Sequence, residues 1–502
     1  MQMNLKKWWI AALIIVLLSM AFYGFFIKPS DFAESTARRI ARNCPRYAID
    51  VTFNPDEKKV EGIQEVTVKN TEKVELSELY FHLYPNAFKT SDAAPFPRAE
   101  FASAYPEGFA PGYINIKSVR GETGPLAYEA EDTLLKVVLD KPLKPGRQTK
   151  LTMEFTEVIP PSYGRFGYGK NTFNIANWYP ILAVYDDNGW NRDPYYAIGD
   201  PFYSDAGLYE VKIKAPAAYT IAASGSVKDK KQEGGFNIWT FKTGLVRDFA
   251  WVASERYRTA SQEVDGIKIT SFYMKEDAAY GKKALEYAAK AIKFYSQYFG
   301  PYPYKEYAVA SSDFYIGGME YPNLVMIGRQ FYNEGDLLEY VVVHETAHQW
   351  WYGLVGNNEI REPWLDEALT EFSTVLYYEN IYGRKSGQRI YEDFILNPYR
   401  FYERSLSSTP GPVLRPLWEF NSWGEYDAVV YSRGAIMLRQ LENAVGKDRF
   451  REALHLYFRQ NIYKNATTVD FINAVNRATG ADWTDYIYNK MLKSTQPVEN
   501  AA

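Results

Sequence analysis

The chain has 502 residues, of which 46% are hydrophobic and 24% charged, a balance that argues against wholesale disorder and against a polytopic membrane protein. Its 57 Lys and Arg residues against 61 Asp and Glu residues give a net charge of -4, which argues against a dedicated nucleic-acid-binding protein. The single cysteine excludes an intrachain disulfide framework and any metal site built from cysteines.

An uncharged run of apolar residues, 8–27, opens the chain and is long enough to cross a bilayer as a helix. A cleavable signal peptide is the alternative interpretation. Because the run continues past its poor cleavage site at Ala21, we expect a transmembrane signal-anchor over residues 1–27 and a basic tether over 28–45. The short N-terminal tail predicts a single-pass membrane protein whose globular part lies outside the cytoplasm.

Short alternating segments follow, with turn residues between them. Residues 47–53, 64–69 and 79–83 are examples, and the pattern predicts an antiparallel β domain over residues 46–258. The stretch 95–113, rich in proline, glycine and aromatic residues, is predicted to be a loop. His82 lies in an alternating segment, so we interpret it as a residue of the fold.

From residue 259 onward helical spacing dominates. Strands are predicted at 307–311 and 324–327, and helices at 277–299, 336–352, 363–382, 428–445, 447–461 and 468–479. His455 lies on an amphipathic helix and is again interpreted as a residue of the fold. The sequence therefore predicts an α+β multidomain protein with an N-terminal antiparallel β-sheet domain and an α/β domain over residues 259–495.

The clearest chemical motif is His344-Glu345-Thr346-Ala347-His348. Positions i and i+4 lie on one face of a helix, so both imidazoles can bind one metal ion, with Glu345 beside it. A catalytic zinc usually takes three protein ligands and leaves one position for water. Glu345 is then the candidate general base that takes a proton from the attacking water.

The third ligand is expected on the next helix, at residues 363–382. Glu367 lies 19 residues after His348, which leaves room for a loop and a returning helix. Glu371 lies one turn further on and is a candidate to orient a ligand imidazole. A solvated helix face remains the alternative interpretation of Asp366 and Glu371.

The spacing from His344 to Glu367 resembles that of the gluzincin metallopeptidases. A second motif, Gly317-Gly318-Met319-Glu320-Tyr321, is similar to the Gly-x-Met-Glu-Asn signature of the aminopeptidase N family of zinc aminopeptidases. This resemblance implies that Glu320 binds the free α-amine of the substrate and that Gly317, Gly318 and Met319 line the peptide. Tyr321 departs from the family's Asn.

A third motif, Tyr431-Ser432-Arg433-Gly434-Ala435, is similar to the family's Tyr-x-Lys-Gly-Ala element. The resemblance implies that Tyr431 stabilises the oxyanion. It also implies a β-sheet saddle followed by a thermolysin-like catalytic domain, without the long helical C-terminal domain of many relatives, and hence a more open cleft. The family's Gln or Glu near the first-residue pocket has no clear match, with Asn174 or Asn177 in that region.

Three functions follow from these motifs. The first is a membrane-anchored aminopeptidase that uses one zinc ion per chain and acts on peptide substrates. The second is a thermolysin-like endopeptidase, which the Gly317–Tyr321 motif disfavours because a carboxylate would block the end of the cleft. The third is a non-catalytic peptide-binding or scaffold protein, which the presence of Glu345 and of all three candidate ligands disfavours.

Overall fold

The computed structural model describes residues 29–333, 335–405 and 410–496. The predicted membrane anchor, residues 1–27, lies outside this part of the chain. Within it, no helix combines the length and the apolar character that crossing a bilayer requires. The helix Ala278–Tyr298 is 21 residues long but contains four lysines and a glutamate. The absence of a membrane-spanning helix from the described residues contradicts the predicted membrane localisation with an extracytoplasmic globular part, and we withdraw that prediction.

The N-terminal part is built from short strands in several sheets. In chain order these strands are β1 (Arg46–Asn54), β2 (Lys59–Lys69), β3 (Leu76–His82), β4 (Tyr113–Arg120), β5 (Tyr128–Glu131), β6 (Leu134–Leu143), β7 (Gln148–Val158), β8 (Phe166–Tyr168), β9 (Phe173–Ile175), β10 (Ile181–Leu182), β11 (Tyr185–Asp186), β12 (Gly189–Trp190), β13 (Gly207–Pro216), β14 (Thr220–Ala223), β15 (Ser226–Glu233), β16 (Phe236–Val246) and β17 (Trp251–Ser254).

The largest sheet has the order β15-β16-β13-β1-β2-β7-β4. Its neighbours are antiparallel except β1 and β13, which pair in parallel from Arg46 opposite Leu208. Along β1 every second residue is buried, as the alternating sequence predicts for a sheet with one face on the core. Two four-stranded sheets, β10-β3-β6-β5 and β14-β17-β9-β8, complete the layers around that core.

The segment predicted as a tether contains a helix, α1 (Pro29–Ile40). Ala33 on this helix is 4% exposed, and Ala37 and Ile40 pack against the core. The basic residues Arg38 and Arg39 in its last turn suggested a solvated linker, but Ala33, Ala37 and Ile40 give the same helix an apolar face against the core.

The C-terminal part combines a five-stranded sheet with packed helices. Its strands, in the order β18-β19-β20-β22-β21, are β18 (Tyr257–Val264), β19 (Ile267–Met274), β20 (Glu306–Ser312), β21 (Gly318–Met319) and β22 (Leu324–Gly328), and β23 (Gly356–Asn357) pairs with β24 (Asn465–Ala466). A short helix, α2 (Phe101–Ala104), lies in the predicted loop of the N-terminal part. The helices of the C-terminal part are α3 (Ala278–Tyr298), α4 (Gly335–Ala347), α5 (Trp364–Ile381), α6 (Arg384–Ile390), α7 (Asn397–Ser405), α8 (Trp423–Tyr426), α9 (Gly434–Val445), α10 (Lys447–Asn461) and α11 (Thr468–Thr479), with π-helical turns at Tyr391–Leu396, Asp427–Arg433 and Tyr486–Leu492.

This arrangement confirms the predicted α+β fold class, with a β-sheet domain before a mixed domain rich in helices. β18 crosses the predicted boundary at residue 258 and pairs with β19 of the second sheet. The division into residues 46–258 and 259–495 stays a prediction.

A buried arginine joins the two parts of the chain. Arg247, 2% exposed, donates from Nε to the Tyr352 carbonyl at 2.7 Å and from Nη1 to the Ser204 carbonyl at 3.0 Å. Its guanidinium also contacts Lys464 and Asn465 on and beside β24. Tyr352 has φ 114, a backbone conformation that costs about 1–3 kcal/mol and that surrounding contacts must hold.

Candidate metal centre

Helix α4 supplies His344, and the turn directly after it supplies His348. The helix was predicted to reach residue 352 but ends at Ala347, after which the chain turns sharply towards Tyr352. The backbone N–H of His348 still donates to the His344 carbonyl at 3.3 Å, so the two imidazoles keep their one-turn spacing. Both side chains are buried, His344 at 9% and His348 at 1% exposure.

Three ligand atoms converge in front of this helix. His344 Nε2 lies 3.2 Å from His348 Nε2, and Glu367 Oε2 lies 3.5 Å and 3.2 Å from these two nitrogens. A tetrahedral zinc with bonds of about 2.0–2.1 Å separates its ligand atoms by roughly 3.3–3.4 Å. The three atoms therefore already have the spacing of three corners of a zinc tetrahedron, and Glu367 Oε2 is buried without a hydrogen-bond partner.

The far nitrogen of each imidazole contacts a carboxylate. His344 Nδ1 lies 2.9 Å from Glu371 Oε2, and His348 Nδ1 lies 2.6 Å from Asp366 Oδ1. A proton on Nδ1 that is held by a carboxylate leaves the lone pair of Nε2 free for a metal. Asp366 is 1% and Glu371 5% exposed, so the solvated-face interpretation of these two residues is wrong.

Helix α5 explains why that interpretation failed. Its residues from Trp364 to Tyr378 are all buried, so the helix has no solvated face over these turns. The sequence pointed to Glu371 as a partner for a ligand but assigned no such role to Asp366. The sequence feature that could have identified Asp366 as a partner of a ligand is the group of acidic residues on a helix too apolar to lie at the surface.

The electrostatics of the cluster suit a cation. Burial lowers the pKa of His344, but hydrogen bonds to Glu367 and Glu371 outweigh it and raise that pKa to about 10. Burial raises the pKa of Glu367, but the two histidines prevail and hold it well below its usual range. Glu367 is thus a carboxylate at neutral pH, and a metal ion would replace the proton shared among these groups.

Glu345 lies beside the three ligand atoms and is 5% exposed, with its Oε2 lacking a partner among the described residues. Burial raises the pKa of Glu345 to about 7, which suits a group that accepts and returns a proton near neutral pH. The backbone of Gly318 lies against this carboxylate, because a β-carbon at Gly318 would come within 2.4 Å of Glu345 Oε1.

The Gly317–Tyr321 motif borders the same cleft. Gly318 and Met319 form β21 at the edge of the five-stranded sheet. Gln349 ties this segment to the turn after α4 by donating from Nε2 to the carbonyls of Glu320 and Tyr321 at 3.1 Å and 3.2 Å. Glu320 is 3% exposed, and its Oε1 has no hydrogen-bond partner among the described residues.

Tyr321 is the motif's departure from the resembled family, and the structure gives it a role in the fold. Its hydroxyl donates to Asn177 Oδ1 at 2.7 Å, and Asn177 Nδ2 donates to Asp248 Oδ2 at 2.7 Å. Asn174 donates to the carbonyls of Gly164 and Asp313 at 3.1 Å and 2.9 Å. Both asparagines therefore join the β domain to residues 313–321 of the C-terminal part.

Tyr431 lies in the π-helical turn Asp427–Arg433, where the sequence predicted regular helix from residue 428. Such turns are frequent at functional sites. The Tyr431 hydroxyl donates to Glu367 Oε1, and its ring stacks on His344 with centroids 5.9 Å apart. Burial raises the pKa of Tyr431 well above its usual range, so the phenol stays a hydrogen-bond donor.

Two further residues were not predicted. Asp200, from the irregular segment before β13, places a carboxylate oxygen within 4.8 Å of oxygens of Glu320 and Glu367. Arg165 donates to Asp200 and contacts Met319 Sδ from Nε at 2.9 Å. No local motif marks either residue, because only the tertiary fold brings this part of the β domain to the metal centre.

The remaining histidines have other neighbours. His82 on β3 is 1% exposed and stacks on Tyr84 with centroids 4.8 Å apart. Burial lowers the pKa of His82 to about 4, so the ring is neutral. His455 on α10 contacts the Tyr298 carbonyl through Nε2.

Comparison with known proteins agrees with this geometry. Residues 283–492 match the family described as the Peptidase family M1 domain. The chain is 26% identical to Aminopeptidase M1-A of Oryza sativa subsp. japonica over 389 residues, which cover 70% of this chain and 43% of that protein. It is 23% identical to Endoplasmic reticulum aminopeptidase 2 of Homo sapiens over 378 residues, which cover 70% of this chain and 38% of that protein. The chain thus spans less than half the length of these curated relatives.

Solved structures resemble the whole fold. The M1 zinc metallopeptidase from Deinococcus radiodurans has a TM-score of 0.65 at 19% identity and covers 91% of this chain and 95% of its own. A mutant two-domain M1 zinc metallopeptidase bound to L-tryptophan also has a TM-score of 0.65, at 17% identity, with 91% and 96% covered. The family match and the curated relatives confirm the resemblance to the aminopeptidase N family, and the geometry of the ligand atoms fits zinc as the cofactor.

Proposed function

We propose that this protein is a zinc-dependent aminopeptidase that hydrolyses the first peptide bond of peptide substrates. The observation that carries this proposal is the position of Glu320 beside the candidate zinc ligands His344, His348 and Glu367. Its carboxylate is buried, and its Oε1 has no hydrogen-bond partner among the described residues. Zinc held there supplies Lewis-acid polarisation of a carbonyl and lowers the pKa of a water molecule.

Glu345 is the general base in this proposal. Its carboxylate is buried next to the ligand atoms, and its Oε2 has no hydrogen-bond partner among the described residues, so this oxygen can accept a proton from the attacking water. A pKa of about 7 for Glu345 lets the same group return that proton to the leaving amine.

Tyr431 is the proposed oxyanion donor. Its hydroxyl contacts Glu367 beside the ligand atoms and so lies within reach of the carbonyl oxygen under attack. The π-helical turn supports this role because it displaces Tyr431 from the register of a regular helix.

The unpaired edge of β21 is the proposed binding site for the peptide backbone. β21 pairs with β22 on one side, and among the described residues no strand pairs with its other side. A peptide can add there as an extended strand, and the absence of a side chain at Gly317 and Gly318 lets its backbone approach. Glu320 next along the chain then meets the α-ammonium and limits cleavage to the first residue.

Endopeptidase activity and peptide binding without catalysis are the competing functions. The buried carboxylate of Glu320 disfavours the first, because a continuing peptide chain would leave it without a cationic partner. The presence of the complete ligand set with Glu345 and Tyr431 disfavours the second. A mutant structural neighbour bound to L-tryptophan supports a site that accepts a free amino acid.

The experiment compares L-leucine p-nitroanilide with its N-acetylated form. We expect turnover of the free amine alone, with activity lost on chelation and restored by zinc. Equal cleavage of both substrates would refute exopeptidase action. Cleavage of an internal bond in a peptide blocked at its N-terminus would support the endopeptidase instead. Purified protein with no bound metal after growth in zinc would refute the metal centre itself.

A further inference from the structure

Glu320 is fixed through its neighbours in the chain. Its side chain is buried, yet its Oε1 has no hydrogen-bond partner among the described residues. Contacts are made instead by the residues on either side. Gln349 donates to the carbonyls of Glu320 and Tyr321, and Arg165 contacts Met319 Sδ. The position of the Glu320 carboxylate against the zinc ligands therefore depends on how these neighbours are held.

Tyr321, the next residue, carries two hydrogen bonds into the β domain. Its hydroxyl donates to Asn177 Oδ1 at 2.7 Å, and Asn177 Nδ2 donates to Asp248 Oδ2 at 2.7 Å. The side chains of Tyr321, Asn177 and Asp248 are buried, with exposures of 0%, 3% and 2%. These two hydrogen bonds, here called the Tyr321 relay, join the motif beside the zinc ligands to the segment between β16 and β17.

The Tyr321 relay has a fixed direction. Asp248 Oδ1 accepts from the Tyr179 hydroxyl at 2.9 Å and from the Phe249 N–H at 2.6 Å. Burial raises the pKa of Asp248 to about 7, and these two hydrogen bonds oppose that rise. An ionised carboxylate only accepts hydrogen bonds, so it turns the Nδ2 group of Asn177 towards itself and leaves Oδ1 for Tyr321.

The backbone that carries the relay is held firmly. Asn177 has φ 50, a left-handed conformation that asparagine adopts more readily than most residues but that surrounding contacts must maintain. The next residue, Trp178, is fully buried and donates from Nε1 to the Phe249 carbonyl at 2.8 Å. A side chain on such a support can fix the position of its partner.

We propose that Asn177 and Asp248 are positioning residues that act through Tyr321 to hold Glu320 at its distance from the zinc ligands. The Tyr321 relay reaches residue 321 from the β domain, and Gln349 reaches the same backbone from the turn after α4. These two anchors set which bond of a bound peptide reaches Glu345. This inference rests on the proposed aminopeptidase function.

The test uses two inhibitors that differ only in an amine. Glycine hydroxamate and acetohydroxamate share the metal-binding group, so the preference for glycine hydroxamate, as a ratio of inhibition constants, reports how the amine is placed against Glu320. We expect Tyr321→Phe, which removes only the hydroxyl, to reduce this ratio about tenfold at about pH 8.5, where Asp248 is ionised. Inhibition by acetohydroxamate and the zinc content should stay at the wild-type level. A residue of the fold alone would change both inhibition constants equally or neither.

Asn177→Gly breaks the same relay without backbone strain, because glycine readily adopts a φ of 50. It should reduce the ratio as Tyr321→Phe does. The double variant should lose no more than either single variant, because both changes break one connected set of hydrogen bonds. Additive losses, or an unchanged ratio in either single variant, would show that the proposal is wrong.

Tyr257→Phe is the matched control. Tyr257 is 4% exposed, and its hydroxyl donates to the Ser311 carbonyl at 2.8 Å, so this change also removes a buried hydrogen-bonded hydroxyl. Tyr257 lies on β18, outside the Gly317–Tyr321 motif, and the ratio should equal that of the wild type. An equal reduction in Tyr257→Phe would show that the loss of any buried hydroxyl is sufficient, and would overturn the inference.

A wild-type measurement covers the case in which the variants do not fold. In a crystal soaked with glycine hydroxamate, the amine should contact Glu320 while the Tyr321 hydroxyl stays within about 3.2 Å of Asn177 Oδ1. A hydroxyl that turns away from Asn177 in this complex overturns the inference and leaves the aminopeptidase intact. Wild-type protein that binds both hydroxamates equally overturns the proposed aminopeptidase as well.

Discussion

Gly318→Ala tests how closely the peptide-binding strand approaches the general base. A β-carbon at Gly318 would lie 2.4 Å, 2.5 Å and 2.6 Å from Oε1, Cδ and Cγ of Glu345. An ordinary contact is about 3.4 Å or more, so the carboxylate must move by roughly 1 Å. The backbone of Gly318 is not in the left-handed region, so the substitution acts through this contact and not through strain.

A displacement of 1 Å in a reacting group can cost about 10²-fold in rate, or about 2.7 kcal/mol of transition-state stabilisation. We therefore expect kcat of Gly318→Ala on an aminoacyl anilide to fall about a hundredfold. Zinc content should stay at the wild-type level, because Gly318 does not touch a ligand atom. Steady-state kinetics and metal analysis on the same preparation measure both quantities.

Gly317→Ala provides the comparison. Its β-carbon would meet only Val341 Cγ1, at 4.0 Å, so the loss of kcat should be far smaller than for Gly318→Ala. Equal losses in the two variants would show that the glycines serve only the peptide backbone. Full activity of Gly318→Ala would refute the assigned position of Glu345.

Three further predictions address the base, the ligands and the β domain. Glu345→Gln should keep about one zinc per chain and lose about 10²–10⁴-fold in kcat, and loss of the metal would instead make Glu345 a ligand. Asp366→Asn should weaken zinc binding about 10–100-fold in a chelator competition, because the imidazole of His348 loses a charged partner, whereas unchanged affinity would contradict that role. Burial without any hydrogen-bond partner raises the pKa of Glu157 well above its usual value, so the folded chain keeps a proton that the unfolded chain releases above a pH of about 4.3. The resulting stability is present below that pH and is lost as pH rises, with a slope of up to about 1.4 kcal/mol per pH unit. The free energy of unfolding of Glu157→Gln, measured with urea, should therefore fall less steeply between about pH 5 and 8 than that of the wild type. Parallel curves of this free energy against pH would refute the prediction.

Local geometry explains which parts of the site the sequence predicted. His344, Glu345 and His348 follow from the spacing of a helix, and Glu367 follows from the length of a helical hairpin. Neither requires knowledge of the rest of the fold. The end of α4 at Ala347 was not predicted, because the turn depends on Tyr352, whose backbone is held by Arg247 from another domain.

Local sequence patterns did not identify the site residues whose positions depend on tertiary packing. Asp366 is adjacent to Glu367 but faces a different nitrogen, and only the position of α5 against α4 decides that contact. Asp200 and Arg165 come from irregular segments more than a hundred residues before the metal motif. The predicted membrane localisation relied on hydropathy alone and does not agree with the helices of the described chain.

The Arg247 contact has a consequence for cooperativity. It connects the β domain to the Tyr352 carbonyl, four residues after His348, and to the strand pair at Lys464 and Asn465. Separation of the domains would release the strained turn next to a zinc ligand. Folding of the interface and retention of the ion are therefore thermodynamically linked, so a hinge opening wide enough to admit large substrates would also weaken the metal centre. If the proposed centre holds zinc, we expect the protein to lose the ion and to separate its two parts in one transition.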